Sequence, residues 1–198
     1  MKIESLKHLN PQNILDIGAN VGGFFNEAKK IWPHASFTLI EGNPKCEPYL
    51  QNTGQKYHIA LLSDEEKTVN FYVMKNTDTA TGNSYYKELT EFYKDPDIVP
   101  MKTARLDSLI TQDENFDFIK IDVQGAEHDV IKGGTQIFKK ANYILMEVAV
   151  TQYNERAPLW DETIKFMNEL GFDKYTIIDD IVHPINRNVI QKDLLFYR

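Results

Sequence analysis

The chain has 198 residues, 42% of them hydrophobic, so it can build a full core and one domain spanning residues 1–198 is expected. Its net charge of -7 argues against sequence-independent nucleic-acid binding and against an anionic membrane face. Cys46 is the only cysteine, which excludes an internal disulfide and a cysteine-based metal site, and with no signal-peptide core or bilayer-length apolar run a cytoplasmic protein is expected.

Apolar Ile3, Leu6 and Leu9 predict a short helix that ends before Asn10-Pro11. A strand follows over residues 13–17, then the turn Gly18-Ala19-Asn20-Val21-Gly22-Gly23, then a helix from Phe24 to Trp32 stopped by Pro33. A second strand spans 36–41. Gly42-Asn43-Pro44 turns into a helix running to about Asn52, with Gly54 as its stop, and a third strand covers 56–62. Residues 68–74, TVNFYVM, are β-branched and aromatic and predict an extra strand instead of a crossover helix. The stretch 75–100 is long for a connection and carries Tyr85, Tyr86, Phe92 and Tyr93. It reads either as a surface insertion packed by its aromatics or as an active-site lid. Strand, short helix and strand are expected over 101–106, 105–109 and 116–123. Gln124-Gly125-Ala126-Glu127 then turns into a helix to Phe138, broken at Gly133-Gly134. A strand over 143–150, a helix over 158–170, a strand over 175–179, a turn at 186–188 and a strand over 193–197 complete the chain. The alternation predicts a three-layer α/β fold whose mostly parallel sheet carries an antiparallel last strand.

The strand–turn–helix at residues 13–25 is where chemistry concentrates. Glycine admits close backbone approach, and the helix behind it offers unpaired N–H groups. Gly18-x-Asn20-x-x-Gly23 is the dinucleotide fingerprint with its middle glycine replaced by asparagine. Asp16 stands just before the turn, where a carboxylate can meet a cationic amine. Glu41 closes the next apolar run, about 20 residues on, where an acid holds ribose hydroxyls. A nicotinamide-dependent oxidoreductase and a non-catalytic cofactor-binding module remain alternatives at this level. Asp122 ends an apolar strand, where a charge needs a partner or a task, and is the first choice for a general base; accepting N–H bonds from the next turn is its structural alternative. Glu127 is a second catalytic candidate, with the structural alternative that it opens a helix, where any acid is stabilised. Glu147 lies inside YILMEVAV and needs a metal, a basic task or a partner such as Arg105. His128 adjoins Glu127, while His8, His34, His58 and His183 are scattered. Asp122, Glu127 and Glu147 offer hard oxygens to a divalent metal, but their spacing is no recognised motif, so no metal is assigned or excluded.

The segments ILDIGANVGGF (14–24), FTLIEGNP (37–44), RLDSL (105–109), FIKIDVQGAEHDVIKGG (118–134) and ILMEV (144–148) together resemble the FkbM family of class I S-adenosylmethionine-dependent methyltransferases. The resemblance implies a Rossmann-like seven-stranded sheet and S-adenosylmethionine as cofactor. It places Asp16, Gly18, Ala19, Asn20 and Gly22 around the methionine end, Glu41 on the ribose with Asn43 close by, and Ala60 and Leu61 against the adenine. Asp122, Gln124 and Gly125 would line the reactive end. It further implies methyl transfer to a hydroxyl of a small metabolite or sugar, with a small-molecule or carbohydrate partner. Stretch 75–100 matches no part of the family pattern.

Overall fold

The computed structural model describes residues 2–77, 79–111, 113–183 and 187–198, the Phe92 side chain apart. Strand β1 (Asn13–Ile17) buries every side chain from Ile14 to Ile17, Asp16 included. A parallel strand covered on both faces requires such a run. After it come α1 (Gly23–Ile31), β2 (Ser36–Glu41), α2 (Glu47–Asn52) and β3 (Lys56–Ile59). A short strand β4 (Leu61–Leu62) precedes β5 (Thr68–Val73), β6 (Asp97–Ala104) and α3 (Leu106–Leu109). The second half holds β7 (Phe118–Ile121), α4 (Glu127–Gly133), α5 (Thr135–Phe138) and β8 (Tyr143–Ala149). It ends with α6 (Trp160–Glu169), β9 (Lys174–Val182) and β10 (Val189–Tyr197).

Seven strands form one sheet in the order β3-β2-β1-β7-β8-β10-β9, and β10 is antiparallel to both its neighbours. Alternate side chains feed two cores. Ile14, Leu39 and Phe118 pack with Phe25 and Trp32 of α1 and Leu50 of α2. Leu15, Ile40, Ile119 and Met146 pack with Leu106, Val130, Phe138 and Met167 from α3 to α6. Burying each such side chain stabilises the fold by roughly 1.5–3 kcal/mol. The expected three layers are therefore present. Successive connections run in opposite directions from β1, so β1 and β7 flank the switch point where open α/β sheets bind ligands.

Several boundaries differ from expectation. The N-terminal helix is a single 3-10 turn, Ile3–Leu6, and the Leu9 carbonyl instead accepts the Trp32 indole N–H at 2.9 Å. The strand expected over 56–62 breaks at Ala60, whose N–H goes to the Glu41 carbonyl at 2.8 Å. Leu61 and Leu62 then leave the main sheet and pair with Thr103 and Ala104 of β6. That strand begins earlier than expected, at Asp97, because β5 pairs with it from Thr68 to Val73. Pro100 is tolerated there because β4 reaches only Thr103 and Ala104, leaving no second ladder at Pro100 to complete. The last two strands are longer than expected because they pair from Val182 with Val189 to Lys174 with Tyr197. In the turn expected at 186–188, Asn186 lies outside the described residues, as does the side chain of Phe92.

Residues 80–93 pack onto the body. Ser84 and Tyr72 exchange backbone hydrogen bonds, Leu89 N–H donates to the Tyr153 carbonyl at 2.9 Å and Glu155 N–H to the Lys87 carbonyl at 2.7 Å. The Asn154 amide adds a bond to the Tyr86 carbonyl at 3.0 Å. This segment and the chain after β8 thus form one cover above the tips of β7 and β8.

Candidate active site

The turn after β1 is shaped by contact with the tip of β7. Gly18 has φ +75, and a Cβ there would overlap the Asp122 carbonyl oxygen. Its N–H and that of Ala19 both donate to the Ile40 carbonyl, at 2.9 and 3.0 Å. Asn20, at φ 48, turns its own N–H onto Glu41 Oε2 at 2.8 Å. The other oxygen of Glu41 accepts the Asn43 N–H at 2.7 Å. Burial pushes the Glu41 carboxyl above the usual range, and the two backbone bonds oppose that shift. Each oxygen keeps lone-pair capacity for a further donor.

Beneath the turn, Asp16 and Lys120 are register partners on β1 and β7 and face the α1 layer. Lys120 Nζ lies 3.2 Å from Asp16 Oδ1 and 3.8 Å from Asp122 Oδ2, and it donates to the Gly18 carbonyl at 2.8 Å. Among the described residues the Lys120 ammonium is what meets this fully buried carboxyl group. Burial works against charge on Lys120, but the Asp16 and Asp122 carboxylates more than offset it and hold the ammonium above its ordinary range.

The cleft opens between this turn and the cover. Glu41, at the end of β2, and Asp122, just after β7, both line it, together with Ile40, Ala60, Leu61, Leu62 and Phe71. Thr81, Asn83, Ser84 and Tyr85 close it from the cover. The cover is tied down by the Asn20 amide, which donates to the Thr79 carbonyl at 3.1 Å, and by Ser84 Oγ, which donates to the Val123 carbonyl at 3.0 Å. Taken along the strand order β3-β2-β1-β7, apolar Ala60 and Leu61 for a flat ring, then the Glu41 acid for hydroxyls, then the Asp122 acid for a positive centre follow the adenine–ribose–sulfur order of an adenosyl sulfonium.

At the Asp122 end side chains do the holding. Gln124, at φ 56, donates from Nε2 to Asp122 Oδ1 at 2.7 Å and to Glu147 Oε1 at 3.0 Å. Gln191 also donates to Glu147 Oε1. Burial, then the nearby Asp122, Glu127 and Asp193 carboxylates, hold the Glu147 carboxyl well above its ordinary range. Glu127 turns inward: Oε1 accepts the Val123 N–H at 3.0 Å and Oε2 the Gly125 N–H at 3.0 Å. Burial pushes its carboxyl up to about 7 against those bonds. His128 stacks on Phe166 and meets Thr163 Oγ1 at 3.1 Å, and burial lowers its pKa to about 4.

The structure brings Gly18, Asn20, Glu41, Ala60, Leu61, Asp122 and Gln124 to one cleft. Ala19 faces a neighbouring hollow on the α1 side, and Gly125 and Glu147 face a smaller one behind Gln124. Gly22 caps α1 at φ 83, and Asn43 serves Glu41 and caps the 3-10 turn at Pro44. Arg105 is not the partner of Glu147: its guanidinium donates to the carbonyls of Asp64 and Lys132. Lys120, Gln191 and Asp193 were not foreseen. A lysine inside the apolar run FIKI was a usable signal, because unpaired lysine is almost never fully buried. Among the described residues no group of three or more His, Cys, Asp or Glu is arranged to hold a metal ion. No described helix is long and apolar enough to cross a membrane.

A Rossmann-like sheet whose switch-point cleft is lined by Glu41 and Asp122 defines an α/β protein built to take a ligand beyond the carboxyl ends of its strands. The chain belongs to the FkbM methyltransferase domain family, whose model matches residues 16–174. Methyl transfer from S-adenosylmethionine goes with that membership. The chain is 26% identical over 167 residues to the 2-O-methyltransferase NoeI of Sinorhizobium fredii, covering 74% of this chain and 67% of that one. Its fold is similar to an O-methyltransferase family protein from Burkholderia thailandensis, at TM-score 0.55 and 8% identity, over 99% of this chain and 55% of that one. It is also similar to Aeropyrum pernix fibrillarin, which was solved with S-adenosyl-L-methionine natively bound, at TM-score 0.51 and 16% identity, over 98% and 71%.

Proposed function

We propose that the protein methylates a hydroxyl of a small molecule, with the cofactor lying along the cleft past Glu41 to Asp122. The family match and the 2-O-methyltransferase relative support a hydroxyl acceptor. The observation that carries the assignment of roles is that Glu41, from the tip of β2, and Asp122, from the tip of β7, line one cleft. Glu41 accepts the ribose hydroxyls on the lone pairs its two backbone bonds leave free. Ala60 and Leu61 flank the adenine, and Gly18 and Asn20 bring main chain close to the methionine part. S-adenosylmethionine supplies, when bound, a methyl on a positively charged sulfur.

Asp122 orients the acceptor hydroxyl and takes its proton on a carboxylate oxygen, with Gln124 fixing Oδ1 and Lys120 facing Oδ2. Glu147 is linked to Asp122 through Gln124 and acts as a positioning residue, and Glu127 holds the 123–125 turn in place. Residues 75–100 act as a lid that excludes water once the cofactor is in. The test is transfer of label from methyl-tritiated S-adenosylmethionine to a panel of alcohols, phenols and sugars. Label should enter at least one hydroxyl compound with wild type and not with Asp122→Asn. Cofactor binding without transfer to any compound would instead favour a non-catalytic module.

A further inference from the structure

On the α1 side of the glycine turn lies a second hollow, which shares Gly18, Asn20, Thr81 and Asp122 with the cofactor cleft. Ile3, Ala19, Val21 and Phe24 give it an apolar wall. Three ionisable residues line it. Lys120 is engaged by Asp16 at 3.2 Å and by the Gly18 carbonyl at 2.8 Å. Glu27 sits on the exposed rim, paired with Lys30 at 2.6 Å. Asp122 is the one ionisable side chain that faces both hollows. Among the described residues that line it no cation is free to hold an anionic ligand, and two carboxylates repel one. The Phe24 ring is stacked on Phe118 at 6.4 Å and presents a fixed aromatic surface.

We infer that this hollow is the acceptor chamber, and that its occupant is an uncharged molecule with an apolar ring-shaped body bearing the hydroxyl. The inference rests on the methyl-transfer reading above. An acceptor in one hollow and the cofactor in the other meet at Asp122. There the acceptor oxygen gains a bond to the methyl carbon while the carbon–sulfur bond breaks. The bonding pair stays on sulfur, which becomes neutral, and the hydroxyl proton passes to Asp122. An apolar body suits this chamber because it leaves no polar group of its own unpaired against Ile3, Val21 and Phe24.

The test uses the full chain with S-adenosylhomocysteine present, and two probes, benzyl alcohol and D-glucose. Saturation-transfer NMR should show the phenyl ring against the protein, with contacts to the Ile3 and Val21 methyls, and glucose binding at least tenfold weaker. Val21→Trp, which fills the chamber, should weaken phenyl-probe binding at least tenfold and leave the calorimetric affinity for S-adenosylhomocysteine within twofold. Equal binding of the two probes, no binding of either, or a phenyl probe indifferent to Val21→Trp would overturn the inference. So would an equal loss of S-adenosylhomocysteine affinity in that variant, which would make the hollow the cofactor's own. If the variant does not fold, the methyl contacts in wild type decide alone. Failure of wild type to bind S-adenosylhomocysteine is a separate result, and it defeats the underlying methyl-transfer reading.

Discussion

The cleft holds its two acids by different means. Glu41 is clamped by two main-chain N–H groups, from Asn20 and Asn43. Asp122 is held by side chains alone, the amide of Gln124 and the more distant ammonium of Lys120. Main-chain clamps follow from local folding of a strand and the turn beside it, and they suit a group that only binds. Side-chain holds can be tuned one residue at a time, and they suit a group that must change its proton occupancy. The comparison therefore separates a fixed recognition end from an adjustable reacting end.

The largest effect should come from Asp122→Asn. Turnover should fall on the order of 100-fold or more, the range of general-base catalysis, with cofactor affinity changed only a few-fold. Unchanged turnover would remove Asp122 from the mechanism and with it the contrast between the two ends. Gly18→Ala attacks the seam between them, since its Cβ would overlap the Asp122 carbonyl and its φ is +75. Urea unfolding should show a loss of roughly 2–4 kcal/mol, typical of strain combined with overpacking; a loss under about 0.5 kcal/mol would mean that the seam relaxes freely. Glu41→Ala should weaken S-adenosylhomocysteine binding by roughly 1.5–3 kcal/mol, the worth of hydrogen bonds to a charged group. Equal affinity by calorimetry would contradict the ribose role.

A pH experiment sharpens the contrast further. Glu127 is buried and its carboxyl is raised to about 7, so between its unfolded value near 4.5 and about 7 the folded state holds the extra proton. Its contribution to stability is thus complete below about pH 4.5 and is lost as pH rises toward 7, by up to about 3 kcal/mol. The unfolding free energy of wild type minus that of Glu127→Gln should fall across that window, and a pH-independent difference would contradict the assignment. The smallest effect is expected from Gln124→Leu. Freeing Asp122 from its amide should lower kcat by about tenfold, some 1.4 kcal/mol, with KM for the cofactor little changed. A loss confined to KM would give Gln124 to the cofactor end instead.

What the sequence disclosed follows the same division. That Gly18, Asn20 and Glu41 come together was legible because strand, turn and helix are contiguous and their spacing fixes where the main chain turns back on the strand tips. The three-layer sheet was legible from alternating runs such as NILDI and FIKI. The partners of Glu147 were not, because Gln191 reaches it through the antiparallel register of β10 on β8, which pairs Gln191 with Ala149 and Asp193 with Glu147. No local pattern encodes that register, and Arg105 was a reasonable but mistaken partner. Lys120 was hidden differently: its charge inside an apolar strand was visible, but its engagement with Asp16 needed the β1–β7 pairing. The break at Ala60 was missed because it arises from a backbone bond to Glu41 and from β4 joining a different sheet.

A crystal structure with S-adenosylhomocysteine bound tests the central claim most directly. The account predicts both ribose hydroxyls within hydrogen-bond distance of Glu41 and the sulfur at the Asp122 end of the slot. A nucleoside bound away from Glu41, or a sulfur directed away from Asp122, would contradict it.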